Sequence, residues 1–403
     1  MITKKISNDQ TTIMTSLTKP RIESIDLLKG LVVVIMALDH IRDYFHYASF
    51  LFDPTDPTRS TLSIFFTRWI TNFCAPSFSF LAGLSAFMIG KRKTRNELSG
   101  FLLKRGLWLL FIQFTIVNFG WMFDTHFRVI SFTVIAALGM SMIILAVLIH
   151  LPKTFILLLS CALIFGHNLL DSIHFPNSFL WANIHEPAAF NFSDDLKYYA
   201  DYPIIPWVAV MSLGYYFGSF YEKPFDNTRR KKIFNIIGIS AIVLFILLRW
   251  SNIYGDPIHW TNLGSISKTL MSFLQLSKYP PSLLFLLSTL GGMLLFLGNA
   301  EKLKGKAVNF FSIFGRAPFF FYIIHIYVIH GLAMLFSQLS GFGWQRMVLK
   351  DMIWSSPEFK GYGFSLLVVY AVWFAIIILL YPLCKMFDKY KQTHREKWWL
   401  SYL

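Results

Sequence analysis

Long apolar blocks are the feature of this 403-residue sequence that most restricts its fold. Several blocks run for roughly 20 residues, which is the length that an α-helix needs to cross about 30 Å of hydrocarbon. Charged residues make up only 15% of the chain, whereas a soluble domain carries about 25%. A membrane β-barrel would instead show short segments of alternating hydrophobicity. We therefore predict an all-α fold, a polytopic membrane bundle of about ten transmembrane helices.

Ten spans are predicted from these blocks. They cover residues 27–47, 65–90, 102–123, 129–150, 154–170, 204–221, 233–250, 282–298, 311–336 and 364–386. Lys and Arg cluster in every second connection, as the positive-inside rule describes for cytoplasmic segments. An even number of spans then places both termini in the cytoplasm. The net charge of +15 belongs to these clusters; no basic face or known module indicates nucleic-acid binding.

The domain organisation predicted from the sequence is simple. Residues 1–20 form a polar leader that we expect to be disordered, and residues 21–403 form one membrane domain. The first apolar run contains Asp39 and His40 and is a poor signal peptide, so we expect the first helix to be retained. The three cysteines are scattered among apolar segments, so they indicate neither a disulfide framework nor a metal knuckle.

The segment "DHIRDYFH", residues 39–46, concentrates ionisable residues at the outer end of the first span. Asp39, Asp43 and His46 have the spacing i, i+4, i+7 and therefore share one helix face, with His40 about 100° away. Charges at membrane depth are costly unless they face a cavity or a partner. A histidine beside carboxylates can act as a general base. We therefore treat Asp39, His40, Asp43 and His46 as candidate catalytic residues.

Two other interpretations of this face remain open. The carboxylates could pair with Arg42, Arg68 or Arg249 and hold the bundle together. Asp39, Asp43 and His46 could also bind a metal, although no second histidine pair at ligand spacing supports that interpretation, and we expect no metal.

A second polar cluster lies in "FGRAPFFFYIIHIYVIH", residues 314–330. Arg316 falls at the cytoplasmic mouth of the ninth span, and His325 and His330 follow within it. Each histidine could equally be a core side chain bonded to a neighbouring helix, and Arg316 could be a positive-inside anchor. The "GLSAFMIG" stretch, residues 83–90, has small residues that allow helices to approach closely.

Four segments together resemble the bacterial branch of the heparan-alpha-glucosaminide N-acetyltransferase catalytic-domain family. They are "RIESIDLLKGLVVVIMALDH", "APSFSFLAGLSAFM", "FGRAPFFFYIIHIYVIH" and "WWLSYL". The resemblance implies ten core helices and transfer of an acetyl group from cytoplasmic acetyl-CoA to a sugar amine across the membrane. One departure is Lys29, which stands where the family usually has Arg before a glycine.

The resemblance also implies a catalytic histidine, for which two residues compete. The family pattern of a histidine directly before Ala-Ser is similar to "FHYASF", in which Tyr47 intervenes before Ala48 and Ser49, and it favours His46. The more distant likeness to acyltransferase-3 membrane enzymes favours His40, at the matching distance from Asp26.

The acetyl transfer implied by the resemblance requires an acyl donor and an acceptor. Acyl-CoA carries phosphates that Arg316, Lys104, Arg105 and His325 could bind. The expected partners are the lipid bilayer, acyl-CoA and a carbohydrate acceptor, and a homodimer is one possible assembly. The second hypothesis for the function is a proton-coupled secondary transporter that uses Asp39, His40 and Asp43; no internal repeat and no pair of broken helices in the sequence supports it. The third hypothesis is a scaffold or sensor without catalytic activity.

Overall fold

The computed structural model of the chain describes residues 22–394 and 396–401. Helices make up 71% of the structure, which confirms the predicted all-α polytopic membrane bundle. The predicted disordered leader, residues 1–20, lies outside the described residues.

The α-helices and strands are numbered here in chain order. The helices are α1 (Glu23–Phe45), α2 (Leu62–Trp69), α3 (Cys74–Gly90), α4 (Arg95–Ile112), α5 (Asn118–Met122), α6 (Val134–Leu148), α7 (Lys153–Gly166), α8 (Phe179–Ile184), α9 (Ile204–Phe217), α10 (Asn227–Ser251), α11 (Ile266–Leu274), α12 (Leu283–Ala300), α13 (Lys306–Arg316), α14 (Pro318–Leu339) and α15 (Leu366–Thr393). The strands are β1 (Val129–Phe132), β2 (Ala188–Ser193) and β3 (Leu196–Ala200).

Eight helical segments of the described chain are long and apolar enough to cross a membrane. They are Leu62–Gly90, Arg95–Met122, Lys153–Ser172, Ile204–Tyr221, Asn227–Ser251, Leu283–Ala300, Pro318–Leu339 and Leu366–Thr393. The other two predicted spans correspond to α1, which carries many charges, and α6, which has 15 residues. At 1.5 Å per residue α6 is only about 22 Å long, shorter than the hydrocarbon thickness.

Helix α1 lies in the centre of the bundle, where it packs against α3, α12, α13, α14 and α15. Most of its side chains are buried, including Arg42 near its outer end. The charged side chains of Asp39, Arg42 and Asp43 are largely shielded by protein, which is the condition under which a membrane helix can carry them.

Several predicted spans are interrupted in the structure. The fourth, predicted at 129–150, begins with strand β1, and its helix starts only at Val134. The ninth, predicted at 311–336, is broken at Ala317, where α13 ends and α14 begins with Pro318. Proline is well suited to the first helical turn because its missing N–H has no intrahelical acceptor there.

A small sheet, which the sequence did not predict, combines β1 from the predicted fourth span with β2 and β3 from the connection at 171–203. Its strand order is β1-β3-β2, with β1 parallel and β2 antiparallel to β3. It joins the connection between α5 and α6 to the one between α8 and α9. Of the two long connections between predicted spans, 171–203 contains α8, β2 and β3, and 251–281 contains α11.

Glycines set the closest helix contacts, as the small residues of the "GLSAFMIG" stretch predicted. A Cβ atom added at Gly83 of α3 would lie 1.8 Å from the backbone oxygen of Met211 in α9. Gly214 of α9 meets the backbone oxygen of Phe80 in the same way, at 2.0 Å. Backbone cannot move aside as a side chain can, so both helices require glycine here.

We expect Gly83→Ala to lower the free energy of unfolding by about 1–3 kcal/mol, because the methyl group would force α3 and α9 apart. The measurement is the thermal unfolding midpoint of the full chain in detergent. Gly331→Ala is the matched control: it also lies inside a helix, but nothing stands within 4 Å of the added Cβ. The control should be neutral or stabilising by up to about 1 kcal/mol. Equal midpoints for the two variants would contradict the close-contact argument.

Candidate functional site

The outer end of α1 carries a network of ion pairs around Arg42. Its Nη2 atom donates to Asp39 Oδ1 at 3.0 Å and to Asp43 Oδ1 at 2.6 Å. The guanidinium also lies 3.5 Å from the hydroxyl of Ser49, which itself donates to the Arg42 carbonyl oxygen. Arg42 is buried, and its ion pairs with the two carboxylates offset the free-energy cost of removing its charge from water.

Two cations from other parts of the chain complete the network. Arg68, in α2, donates from Nη1 to Asp39 Oδ2 at 3.1 Å and to the hydroxyl of Thr71 at 2.8 Å. Lys278, in the connection before α12, places Nζ 3.9 Å from Asp39 Oδ2. Three cations thus surround two carboxylates. The cluster carries an excess positive charge, which favours an anion or a developing negative charge next to it.

The pairing expected for Arg249 does not occur. Its guanidinium donates to the backbone oxygens of Ile258, Ser272, Phe273 and Gln275, and so fixes the connection between α10 and α12. Of the three arginines considered as partners of the carboxylates, Arg42 and Arg68 are the ones that fill this role.

His40 is paired with a second histidine from α14. His40 Nδ1 lies 2.8 Å from His325 Nε2, and His325 Nδ1 lies 3.0 Å from the carbonyl oxygen of Phe321. A carbonyl can only accept, so His325 carries its proton on Nδ1 and presents a lone pair at Nε2. His40 must then donate from Nδ1, which leaves a lone pair on its own Nε2.

Aromatic rings enclose the histidine pair. Trp121 of α5 stands edge-on to His40 at a centroid distance of 4.7 Å, and Tyr322 of α14 does so at 6.2 Å. The Tyr44 hydroxyl donates to the Trp121 carbonyl oxygen at 2.5 Å and ties α5 to α1. The His40 ring is therefore held on several sides, and the residue as a whole is half-buried.

The turn after Trp121 is fixed by a strong local ion pair. Asp124 accepts hydrogen bonds from Arg128 Nη2 at 2.9 Å and Nε at 3.0 Å. These bonds hold the pKa of the Asp124 carboxyl well below its usual range. The turn then leads directly into β1.

His46 is placed quite differently from His40. Its ring is fully buried, and neither ring nitrogen has a hydrogen-bond partner among the described residues. The segment around Phe364 covers it: Phe364 donates its N–H to the Phe45 oxygen at 2.6 Å and accepts from the Tyr47 N–H at 3.2 Å. A substrate could reach His46 only if this segment moved, whereas His40 is accessible in the present conformation.

The carboxylates, predicted as partners of a catalytic imidazole, are engaged by arginines, and His325 is the bonded neighbour of His40. His325 was predicted to bind the acyl donor beside Arg316. It instead lies nine residues further along the chain, about 14 Å if the helix were continuous. Arg316 itself donates from Nε to Asp388 Oδ2 at 2.6 Å, which joins α13 to α15.

The remaining cations predicted for the donor lie on α4. Lys104 is exposed on α4, and Arg105 is half-buried beside it. The described residues contain no group of three or more His, Cys, Asp or Glu side chains that could hold a metal ion. His330, the other histidine of α14, places Nδ1 2.9 Å from the Gly120 oxygen and Nε2 2.7 Å from the Met347 oxygen, so backbone groups of other segments surround its ring.

The sequence interpretation did not single out Tyr202, Tyr279 or Asp201, three residues of the connections beside the network. The hydroxyls of Tyr202 and Tyr279 lie 3.4 Å apart and within electrostatic range of Arg68. Burial raises the pKa of the neighbouring carboxyl of Asp201 to about 7. The sequence "KYPP" at 278–281 predicts a turn, but nothing in it indicates that the Lys278 side chain reaches Asp39.

A bundle of membrane helices with a charged and histidine-rich centre defines the class of protein: an integral membrane protein with a polar site between its helices. The model of the family "Heparan-alpha-glucosaminide N-acetyltransferase, catalytic" matches residues 21–254, more than half of the chain. The chain therefore belongs to this family of membrane acetyltransferases. No curated protein matches it. The match includes Asp39, His40, Asp43 and His46; the resemblance of 314–330 and of the closing segment lies beyond it and stays a prediction.

Proposed function

We propose that the chain transfers an acetyl group from cytoplasmic acetyl-CoA to an amine or hydroxyl group of an extracytoplasmic sugar, with His40 as the general base. The protein would act in the bacterial cytoplasmic membrane as a single domain with both termini in the cytoplasm, alone or as a homodimer. The observation that carries this proposal is the His40–His325 pair. It leaves a lone pair on His40 Nε2, and His40 is a half-buried residue beside the rings of Trp121 and Tyr322.

The reaction assigned to this pair balances as a direct transfer. The acceptor nitrogen or oxygen attacks the thioester carbonyl carbon, the new C–N or C–O bond forms, and the C–S bond breaks. His40 Nε2 takes the proton that the acceptor loses and returns it to the departing thiolate, so that free CoA thiol leaves. His325 acts as a positioning residue, since it holds the His40 proton on Nδ1.

The cations around Asp39 suit the charge that develops in this reaction. A thioester carbonyl becomes an oxyanion when it is attacked, and preorganised donors in a water-poor site stabilise such a charge strongly. Arg68 and Lys278 belong to loops and helices outside α1 and border the same carboxylate that precedes His40 in the chain. We assign them the stabilisation of the oxyanion, with Asp39 and Asp43 fixing the cations in place.

The donor would enter from the opposite end of the bundle. His40 lies 17 residues beyond the first residue of α1, about 26 Å along the helix. Arg316, Lys104 and Arg105 are the proposed contacts for the phosphates of CoA at the cytoplasmic end. The extended arm of the donor would then carry the acetyl group along α1 towards His40.

The test is acetyl transfer by the purified full chain in detergent. With labelled acetyl-CoA and a series of glucosamine acceptors, we expect release of one CoA thiol per acetylated sugar. A transporter would move substrate in vesicles without consuming acetyl-CoA. A folded protein that neither binds acetyl-CoA nor releases CoA with any acceptor would overturn the proposal.

A further inference from the structure

A separate cavity lies beyond the C-terminal end of α7, apart from the histidine pair. Its volume is about 170 Å³, and it is lined by Asn168, Asp171, Ile173, His185, Glu186, Pro257 and Pro280. Typical small-molecule sites measure about 300–1,000 Å³. This cavity therefore has room for one end of a ligand, such as a single polar ring substituent, and not for a whole oligosaccharide.

One ring nitrogen of His185, a residue that lines this cavity, has no hydrogen-bond partner among the described residues. His185 is 2% exposed, and its Nε2 atom donates to Asp171 Oδ1 at 2.9 Å. Its Nδ1 atom is buried without a hydrogen bond from any described residue. With the proton on Nε2, Nδ1 presents a lone pair. A buried acceptor left unpaired in this way is costly, and it indicates a ligand group that donates.

Asp171 and Glu186 add acceptors to this lining, and Asn168 adds an amide that both donates and accepts. Asp171 already accepts from Asn168 Nδ2 at 2.8 Å, and the Asn168 oxygen is used by the N–H of Leu283 at 2.8 Å. Glu186 holds His174 through one oxygen and is 42% exposed, so its carboxylate borders the opening. No Lys or Arg is among the lining residues. The lining is thus anionic and accepting on one side and apolar at Ile173 and the two prolines on the other.

The cavity adjoins the proposed reaction centre through one turn of the chain. Lys278 reaches the Asp39 carboxylate, and Pro280, two residues later, lines the cavity. Asp256 fixes this turn by accepting from the N–H of Ser277 at 3.0 Å and the hydroxyl of Ser282 at 2.6 Å. The turn that contacts the proposed reaction centre through Lys278 therefore also forms part of the cavity wall.

We propose that this cavity binds a protonated amino sugar, the unit of the acceptor next to the one that is acetylated. The ammonium and hydroxyl groups would donate to His185 Nδ1 and Glu186, and the sugar face would pack on Ile173 and the prolines. Naming this ligand as part of the acceptor rests on the proposed function; the preference for an amine does not.

The experiment measures binding without acetyl-CoA, using full-length His40→Ala in detergent and three disaccharides. These are the β-1,4-linked glucosamine disaccharide, its N,N′-diacetyl form, and cellobiose, which has no nitrogen. Below the pKa of the amine, we expect the glucosamine disaccharide to bind most tightly. Glu186→Gln should raise its Kd about three- to tenfold, and His185→Phe about tenfold or more.

Glu222→Gln is the matched control. Glu222 is 38% exposed and also lies near cations, Lys91 and Lys153, but it is far from this cavity in the fold, beyond the other end of α9. The Kd of the Glu222→Gln variant for the glucosamine disaccharide should equal that of the parent His40→Ala protein. Equal binding of the three disaccharides, or an unchanged Kd in Glu186→Gln, would overturn the inference. Amine-selective binding without any CoA release in the wild type would retain this site and reject only the proposed function.

Discussion

Replacement of His40 by alanine is expected to lower kcat for acetyl transfer by about 10²–10⁴-fold while leaving the protein folded. The variant removes the accessible lone pair and leaves the ion pairs of Arg42 and Arg68 unchanged. The KM for acetyl-CoA should change little, because the proposed phosphate contacts lie at the other end of the bundle. The measurement is CoA release under saturating donor and acceptor, together with the thermal midpoint of each variant.

His325 provides a graded test of the same arrangement. His325→Gln keeps an oxygen that can accept from His40 Nδ1, whereas His325→Leu keeps only comparable bulk. We expect the glutamine variant to retain substantially more activity than the leucine variant at similar stability. A role in packing alone would predict the reverse order, since Leu suits an apolar helix contact better than Gln.

His46→Ala decides between the two histidines. His46 is sealed beneath the segment around Phe364, so we expect its replacement to retain most of the activity in the folded fraction. An inactive but folded His46→Ala, with His40→Ala active, would contradict the assignment and require the outer segment to open during the reaction.

Much of the bundle could be predicted from the sequence, because burial in lipid imposes length and apolarity on each span. The failures are local and have physical causes. Strand β1 lies in an apolar run that continues into α6, so composition alone cannot separate them. Its strand geometry comes from pairing with β3, whose partner residues are distant in the chain, as Val129 with Lys197. The break at Ala317, by contrast, had a signal in Pro318.

The site could be predicted only in part. Helical spacing located the charged face of α1, because spacing within one helix is fixed by its geometry. Which groups meet this face depends on contacts between distant segments: His325 is 285 positions from His40, and Lys278 approaches Asp39 from a loop. The sequence therefore identified Asp39, His40 and Asp43 as candidates but not the histidine that pairs with His40.

Removal of the Arg42 charge is expected to have the largest effect on stability. Arg42 is the cation that hydrogen-bonds Asp43 in the described network, and it also bonds Asp39. Arg42→Met keeps similar bulk but leaves the Asp43 carboxylate without this partner inside the bundle. Breaking a buried ion pair in this way costs about 3–5 kcal/mol. We expect a strongly lowered thermal midpoint in detergent, and a reduced yield of folded protein.

A double-mutant cycle separates lost charge pairing from lost packing. Asp43→Asn on top of Arg42→Met removes the stranded carboxylate, so the double variant should be more stable than Arg42→Met alone. Arg42→Lys should fall between wild type and Arg42→Met, because a single ammonium cannot match the planar guanidinium that bonds both carboxylates. If Arg42→Met unfolded at the wild-type midpoint, or if Asp43→Asn failed to restore stability, the ion network would not be what holds the outer end of α1 in place. The charges would then be retained for the reaction at His40 alone, and the loss would be in kcat without a loss of stability.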